Sequence, residues 1–152
     1  MNTNIRVGPQ TATFDREATA ALYRDTIKIA GADDCNCTSC KNFAAQRTAA
    51  YPQHFLELLE RLGVDPRKEL EVFDLDRVAT DSTRRLYGGW FAFCGTITQG
   101  AEWRPEHDPE AFTYWTTNSF PRAGFPDGVC AIEFLCELPW VISELPDQSA
   151  MR

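Results

Sequence analysis

The chain has no long hydrophobic run. Nowhere in its 152 residues do about 18 apolar residues follow one another, as a membrane-spanning helix requires. The segment from Met1 to Glu17 contains polar groups, Gly8 and Pro9 and no apolar stretch, so we expect no signal peptide. These absences predict a cytoplasmic protein whose six cysteines are thiols or metal ligands rather than a disulfide framework.

The familiar catalytic signatures are also missing. Gly88-Gly89 lacks the lysine and the helix that follow a phosphate-binding glycine loop. There is no serine elbow, and the two histidines do not form a His-x-x-x-His pair. These absences favour a protein that binds or interacts over an enzyme.

Basic residues are too few for a polyanionic partner. Fifteen Lys and Arg face 22 Asp and Glu, which gives a net charge of -7. Nucleic-acid backbones and anionic membrane surfaces are both bound mainly through Lys and Arg. We therefore expect no nucleic acid and no membrane as partner. The charge is compatible with a protein or a small ligand as partner, and with a homo-oligomer of this chain.

The composition predicts a folded core. Apolar residues make up 43% of the chain, with ten Phe, four Trp and four Tyr, which is too hydrophobic for a disordered protein. No linker divides the sequence, and 152 residues fit one domain. We predict a single domain over 1–152, with short flexible termini at about 1–8 and 146–152.

The clearest helix is predicted over Asn42 to Leu62. Apolar residues recur there at three- and four-residue spacing, and Gly63 follows the last of them as a helix stop. Pro52 interrupts the pattern because an interior proline removes a backbone donor and clashes with the preceding turn. The helix is therefore expected either to kink or to be two helices that meet near Tyr51.

Alternating apolar and polar residues predict the strands. Leu22 to Ala30 alternates in this way, and Thr11 to Phe14 is a candidate partner for it in a hairpin. Further strands are predicted at Glu71 to Val78, Leu86 to Thr98, Phe112 to Phe120 and Val129 to Leu138. Leu86 to Thr98 is apolar on both faces, which is typical of a central strand. The predicted fold is α+β: an antiparallel sheet of about five to six strands, with one long, kinked helix (about 42–62) packed on one face.

Three cysteines stand together just ahead of this helix, in the segment Cys35-x-Cys37-x-x-Cys40. Thiolates are soft ligands that suit zinc, and two cysteines separated by two residues form a common half-site. A tetrahedral site needs a fourth ligand. The candidates are Cys94, His54, His107 and the pair Asp33-Asp34. Zinc bound by Cys35, Cys37 and Cys40 is the first hypothesis for this segment.

Two other hypotheses fit the same segment. Cys37 and Cys40 at a helix N-terminus resemble a thioredoxin-type motif, in which Cys37 attacks as a thiolate and Cys40 resolves. Lys41 favours such a thiolate, whereas Asp33-Asp34 oppose it. Alternatively, the three cysteines are reduced residues that pack like small hydrophobic side chains.

Two short motifs resemble a bacterial family without an assigned activity. The first is Cys37-x-x-Cys40-x-Asn42-Phe43 before a helix, and the second is Tyr87-Gly-Gly-Trp90-Phe-x-Phe93-x-Gly95 in a later strand. The resemblance spans about residues 20 to 140. It implies a bacterial protein of similar shape and implies no reaction.

Aromatic residues outside the helix indicate an interaction surface. Tyr114 and Trp115 lie on opposite faces of one predicted strand, so one aromatic side is expected to face outward. Glu133 and Glu137 give that surface an acidic rim; the candidate interface residues are Trp90, Tyr114, Trp115, Glu133 and Glu137. A sheet covered on both faces is the alternative. The acidic loop Glu106-His107-Asp108 is interpreted as solvated rather than as a cation site.

These patterns together favour a non-enzymatic binding or interaction protein with a structural cysteine loop that can bind zinc. Thiol–disulfide chemistry at Cys37 and Cys40 is the alternative.

Overall fold

The computed structural model describes residues 2–78, 81–108 and 111–146, and it describes side chains outside 76–83 and residue 2. Six strands and three helices follow one another in these ranges. The strands are β1 (Asn2–Val7), β2 (Gln10–Asp15), β3 (Glu71–Val78), β4 (Asp81–Gln99), β5 (Thr113–Thr117) and β6 (Val129–Pro139). The helices are α1 (Arg16–Asp25), α2 (Thr38–Ala45) and α3 (Gln53–Leu62). The α+β class and the antiparallel sheet predicted from the sequence are confirmed.

Strand β4 organises the sheet. The strand order is β1-β2-β4-β6-β5, and β3 pairs with β4 as well. All pairs are antiparallel. The first half of β4 lies between β3 and β6, and its last residues, from Gly95 to Gln99, pair with β2. The central position predicted for Leu86 to Thr98 is therefore confirmed.

The sheet curls until its two ends meet. Strands β1 and β5 stand at opposite ends of the strand order, yet they contact each other. Gln10 of β2 bridges this junction with a fully buried side chain. Its Nε2 donates to the carbonyl oxygen of Thr116 at 2.8 Å, and its Oε1 accepts from the Thr116 N–H at 2.7 Å. A buried amide that satisfies both of its ends in this way fixes the curvature.

The single helix predicted over 42–62 is wrong, because α2 and α3 are separate helices. The chain turns between them, with Thr48 at a φ of 66°. Pro52 is the N-cap of α3 in an extended conformation, φ -68° and ψ 158°. Proline lacks the N–H that a helix interior needs and restricts the residue before it, so α3 begins only after Pro52. Helix α2 has already ended at Ala45, so the expectation of two helices holds and that of one kinked helix does not. Gly63 ends α3 with a φ of 85°, as predicted.

The strand predicted at Leu22 to Ala30 is wrong as well. Asp15 caps a helix there, and its side chain accepts from the Ala18 N–H at 3.0 Å. Thr19, Leu22 and Tyr23 form the buried face of α1 at helical spacing. The alternation from Tyr23 to Ile29 spans the end of α1 and the loop behind it. Thr11 to Phe14 does form a strand, but it pairs with β1 and β4.

The core lies on one face of the sheet, which we call the helix face. It is formed by Tyr87, Phe91 and Phe134 on the sheet and by aromatic residues from α2, α3 and the turn between them: Phe43, Tyr51 and Phe55. None of the described helices combines the length and the apolar character needed to cross a membrane.

The N-terminal stretch, expected to be short and flexible, contains β1, whose Ile5 and Val7 are buried. At the other end, residues 147–152 lie outside the described residues.

Candidate metal centre

The three cysteines lie where the chain enters α2. Cys37 is the N-cap of the helix, and its Sγ accepts from the Cys40 N–H at 3.4 Å. Cys40 therefore lies in the first turn, buried against the core, while Cys35 and Cys37 are half-buried. The prediction that the cluster opens a helix is confirmed.

The three Sγ atoms converge on one point. All of them lie within 4.8 Å of one another, and those of Cys35 and Cys37 are 3.3 Å apart. Tetrahedral zinc with Zn–S bonds of about 2.3 Å separates its sulfurs by about 3.8 Å. In this cysteine cluster (Cys35, Cys37 and Cys40) one sulfur–sulfur distance, 3.3 Å, is below that value, and the other two do not exceed 4.8 Å. Small side-chain movements therefore suffice to bind one ion.

The thiols differ strongly in their acidity. Hydrogen bonds from the Cys37 backbone N–H and from the thiols of Cys37 and Cys40 lower the pKa of Cys35. Burial, reinforced by the neighbouring sulfurs, raises the pKa of Cys40 far above its usual range. Cys35 is thus the more acidic and Cys40 the less acidic of these two thiols.

A buried ion pair fixes the loop that leads into the cluster. Glu69 has a fully buried side chain that accepts from Arg47 Nε at 2.7 Å and from the Ala32 N–H at 3.0 Å. Arg47 also binds Asp33 at 3.0 Å. One guanidinium thus serves two carboxylates, so Arg47, Glu69 and Asp33 together keep one net negative charge. These contacts connect the turn after α2 to the loop before it.

Helix α2 is anchored to the sheet by the residues of the two sequence motifs. Asn42 Nδ2 donates to Tyr87 Oη at 3.1 Å, and Tyr87 Oη donates to the carbonyl oxygen of Ser39 at 2.9 Å. The rings of Phe43 and Tyr87 lie 5.7 Å apart. The helix motif and the strand motif are therefore in direct contact, and they hold the cluster against the core.

A buried charge pair supports the same helix end. Ser39 Oγ donates to Asp74 Oδ2 at 2.7 Å, and Arg85 Nη2 binds the same oxygen at 2.7 Å. Both charged side chains are almost fully buried. Sequence analysis did not identify this pair as support for the cluster.

None of the candidates for a fourth ligand joins the cluster. Among the described residues, the only group of three or more metal-ligating side chains consists of Cys35, Cys37 and Cys40. His54 Nδ1 lies 3.3 Å from Tyr114 Oη, and His107 Nε2 lies 3.2 Å from Glu137. Asp33 is held by Arg47. The fourth position is thus not supplied by any of the described His, Cys, Asp or Glu side chains.

The remaining cysteines lie apart from the cluster. Cys130 and Cys136 are buried on β6, facing the helix side of the sheet. Burial raises the pKa of Cys136 to about 12. Cys94 lies on β4, where its N–H donates to Thr19 Oγ1 at 2.9 Å. Lys41, a candidate for activating a thiolate, instead binds Glu144 at 3.2 Å.

The candidate interface residues divide between the two faces of the sheet. Glu133 pairs with Trp90 on one side and with Trp115 on the other, so these three share the outer face, opposite the helices. Both tryptophans are about 95% buried, because loops cover them. Glu137 is on the same face beside His107, whereas Tyr114 contacts His54 and Phe55 on the helix face.

Comparison with protein-family models, with curated proteins and with solved structures gives no match to this chain. The resemblance of the two motifs to a bacterial family therefore stays a prediction.

The residues that support the cluster from distant positions in the sequence were not predicted. Arg47 and Glu69 are 22 positions apart, and no local pattern connects them. Glu69 stands between Lys68 and Leu70 in a largely charged stretch, so the sequence gives no signal that it is buried.

Proposed function

We propose that this chain is a zinc-stabilised binding protein in which Cys35, Cys37 and Cys40 bind one zinc ion. The observation that carries the proposal is the convergence of three sulfur atoms within 4.8 Å of one another at the start of α2. Water or a ligand from outside the described residues completes the tetrahedron.

The donor set favours zinc. Three thiolates are soft ligands, and hard cations such as magnesium and calcium prefer oxygen. Three thiolates around Zn²⁺ leave one net negative charge. The N-terminus of α2 stabilises this charge through its dipole and through the Cys40 N–H that points at Cys37 Sγ. Zinc binding must displace the proton that burial retains on Cys40, so the affinity for zinc should rise with pH.

The role proposed for the ion is structural. The loop between α1 and α2 has no strand or helix of its own, and it is held by Glu69 and Arg47 at one end and by the cysteines at the other. Zinc joins the three cysteines and thereby fixes the start of α2 on the sheet. The net charge of -7 favours a protein or a small ligand as binding partner over a nucleic acid.

The test is elemental analysis of protein purified without chelator and without metal-affinity resin. We expect about one zinc per chain, and loss of that zinc in Cys37→Ser. Cys94→Ser is the matched control, since it makes the same change at a half-buried cysteine outside the cluster. Zinc retained in Cys37→Ser, or lost equally in Cys94→Ser, contradicts the proposal, as does iron in place of zinc.

Thiol–disulfide exchange is the second candidate, because Cys35 and Cys37 have their sulfurs 3.3 Å apart. In this reaction two cluster thiols lose two protons and two electrons to a partner disulfide, which is reduced to two thiols. The original hypothesis pairs Cys37 with Cys40, while the short distance adds Cys35 as an alternative partner. Peptide mapping after incubation with glutathione disulfide distinguishes the pairs. A protein that stays zinc-loaded and fully reduced under these conditions excludes the redox candidate.

A further inference from the structure

A pocket of about 320 Å³ opens on the outer face of the sheet, away from the cysteine cluster. Its floor is Trp115 of β5 and its acidic wall is Glu133 of β6, which are directly paired in the sheet. The loop after β4 forms the opposite wall with Trp103 and Arg104. The rim is completed by Ala101, Glu102, Thr117 and Ser119. We call this the outer pocket.

The outer pocket already contains a guanidinium group from its own chain. Arg104 Cζ lies 5.1 Å from the centre of the Trp115 ring, a cation–π distance. Its Nη2 is 3.8 Å from Glu133 Oε2, which is too long for a hydrogen bond. The Arg104 side chain is 69% exposed. It therefore lies in the pocket without being held there.

The other groups of the pocket are more firmly placed. Trp115 is only 4% exposed, and the Glu133 side chain is four-fifths buried. Trp103 packs against Gly8 of the β1–β2 turn, where an added Cβ would come within 2.8 Å of the indole ring. Gly8 also has a φ of 57°, so both the close indole ring and the backbone conformation require glycine at this position. The walls are thus packed against the rest of the chain, while the Arg104 side chain between them is largely exposed.

The electrostatics of the pocket match a cation. Two carboxylates, Glu102 and Glu133, face one basic group, Arg104. Burial raises the pKa of Glu133, and Arg104 only partly opposes this rise. A buried carboxylate without a close partner gains from a cation that approaches it and excludes water. An aromatic face beside it selects a flat, weakly hydrated cation over a metal ion.

We propose that the outer pocket binds the guanidinium group of an external ligand, which stacks on Trp115, pairs with Glu133 and displaces Arg104. Arg104 is an internal substitute for that ligand and occupies the pocket in its absence. The group can belong to a small guanidino compound or to an arginine side chain of a partner protein. The inference is independent of zinc, because Glu133 and Trp115 face away from the cysteine cluster.

The test is a titration of the full chain, as purified, with methylguanidinium, followed by NMR at the indole N–H of Trp115. Arg104→Ala empties the pocket, and we expect it to bind methylguanidinium at least tenfold more tightly than the unmodified chain does. Adding Glu133→Gln to this variant should reverse the gain. Adding Glu71→Gln should leave binding unchanged, since Glu71 is an exposed acid that pairs with Trp90 outside the pocket.

Loss of binding through unfolding is distinguishable from loss of the site. The raised pKa of Glu133 means that its ionised form destabilises the folded state above that pKa. Glutamine removes this effect, so a chain with Glu133→Gln should be at least as stable at neutral pH as the same chain with Glu133. The difference should disappear as the pH falls below the pKa of an unfolded glutamate.

Three results overturn the inference: equal affinity with and without Arg104, equal effects of the Glu133 and Glu71 substitutions, or equal binding of tetramethylammonium. A short arginine peptide distinguishes the two sources. Binding at least tenfold tighter than methylguanidinium supports an arginine of a partner protein. Equal binding supports a small guanidino compound.

Discussion

At the scale of single residues, Glu69 is the most consequential side chain outside the cluster. It is fully buried and charged, and its two oxygens accept from Arg47 and from the Ala32 N–H. Removing one partner of a buried ion pair leaves the other charge buried and unpaired, which costs far more than the pair contributes in total. The loop before Cys35 therefore depends on this carboxylate.

We predict that Glu69→Ala lowers the free energy of unfolding by about 3 kcal/mol, measured by urea denaturation. Because the Ala32 N–H loses its acceptor and Arg47 keeps only Asp33, the variant should also release the proposed zinc to a competing chelator more readily. Glu71→Ala, an exposed glutamate two positions away, is the control and should change stability by less than about 0.5 kcal/mol. Equal effects of the two substitutions would show that the buried pair does not support the loop.

At the scale of elements, side chains of α1 hydrogen-bond the backbone of β4 along a stretch of its edge. Strand β3 pairs with β4 up to Trp90, and β2 pairs with it from Gly95 onward. From Phe91 to Cys94, no strand among the described residues pairs with this edge of β4. Tyr23 Oη donates to the Ala92 carbonyl oxygen at 2.7 Å and accepts from the Ala92 N–H at 2.9 Å. Thr19 Oγ1 accepts from the Cys94 N–H.

We predict that Tyr23→Phe destabilises the protein by about 1–3 kcal/mol, because the buried Ala92 N–H and carbonyl lose their only partner on that edge. Tyr114→Phe is the matched control. Its hydroxyl contacts only the exposed His54 at 3.3 Å, so its loss should cost little. Urea denaturation of both variants measures the difference. A Tyr23→Phe variant as stable as the control would mean that water replaces the hydroxyl.

At the scale of the whole molecule, the packing of the aromatic core does not involve the proposed zinc ion. Phe91 and Phe134 of the sheet pack against Tyr51 and Phe55, and these contacts form on the helix face behind the cluster. The cluster is attached to this core through α2. Zinc should therefore order one part of the molecule rather than drive its folding, in contrast to small zinc domains that unfold without metal.

We predict that removing zinc with a chelator accelerates hydrogen exchange at the amides of α2 and of the loop before it. The amides of β4 from Gly88 to Phe93, which lie between neighbouring elements, should keep their protection. Far-UV circular dichroism should change little. Complete loss of protection in β4 would show that the metal holds the fold as a whole.

Local patterns predicted much of the architecture. Hydrophobic alternation in Val129 to Leu138 and the two-sided apolar run of Leu86 to Thr98 located β6 and the core of β4, because each pattern follows from the two-residue period of a strand. The alternation in Leu22 to Ala30 predicted a strand wrongly, because Asp15 caps a helix that continues to Asp25. The helix break was foreseeable from Pro52, whose effect is local.

The α+β class, the central strand and the cysteine cluster all follow from the amino-acid sequence alone. The three cysteines are within six positions of one another, so they come together without contacts from distant parts of the chain. The distant residues that support the cysteine cluster or complete the outer pocket could be identified only in the folded chain. Arg47 meets Glu69, and Arg104 meets Trp115 and Glu133, through the folding of separate elements. Local spacing cannot encode such contacts, since they depend on how the sheet curls and where its loops return.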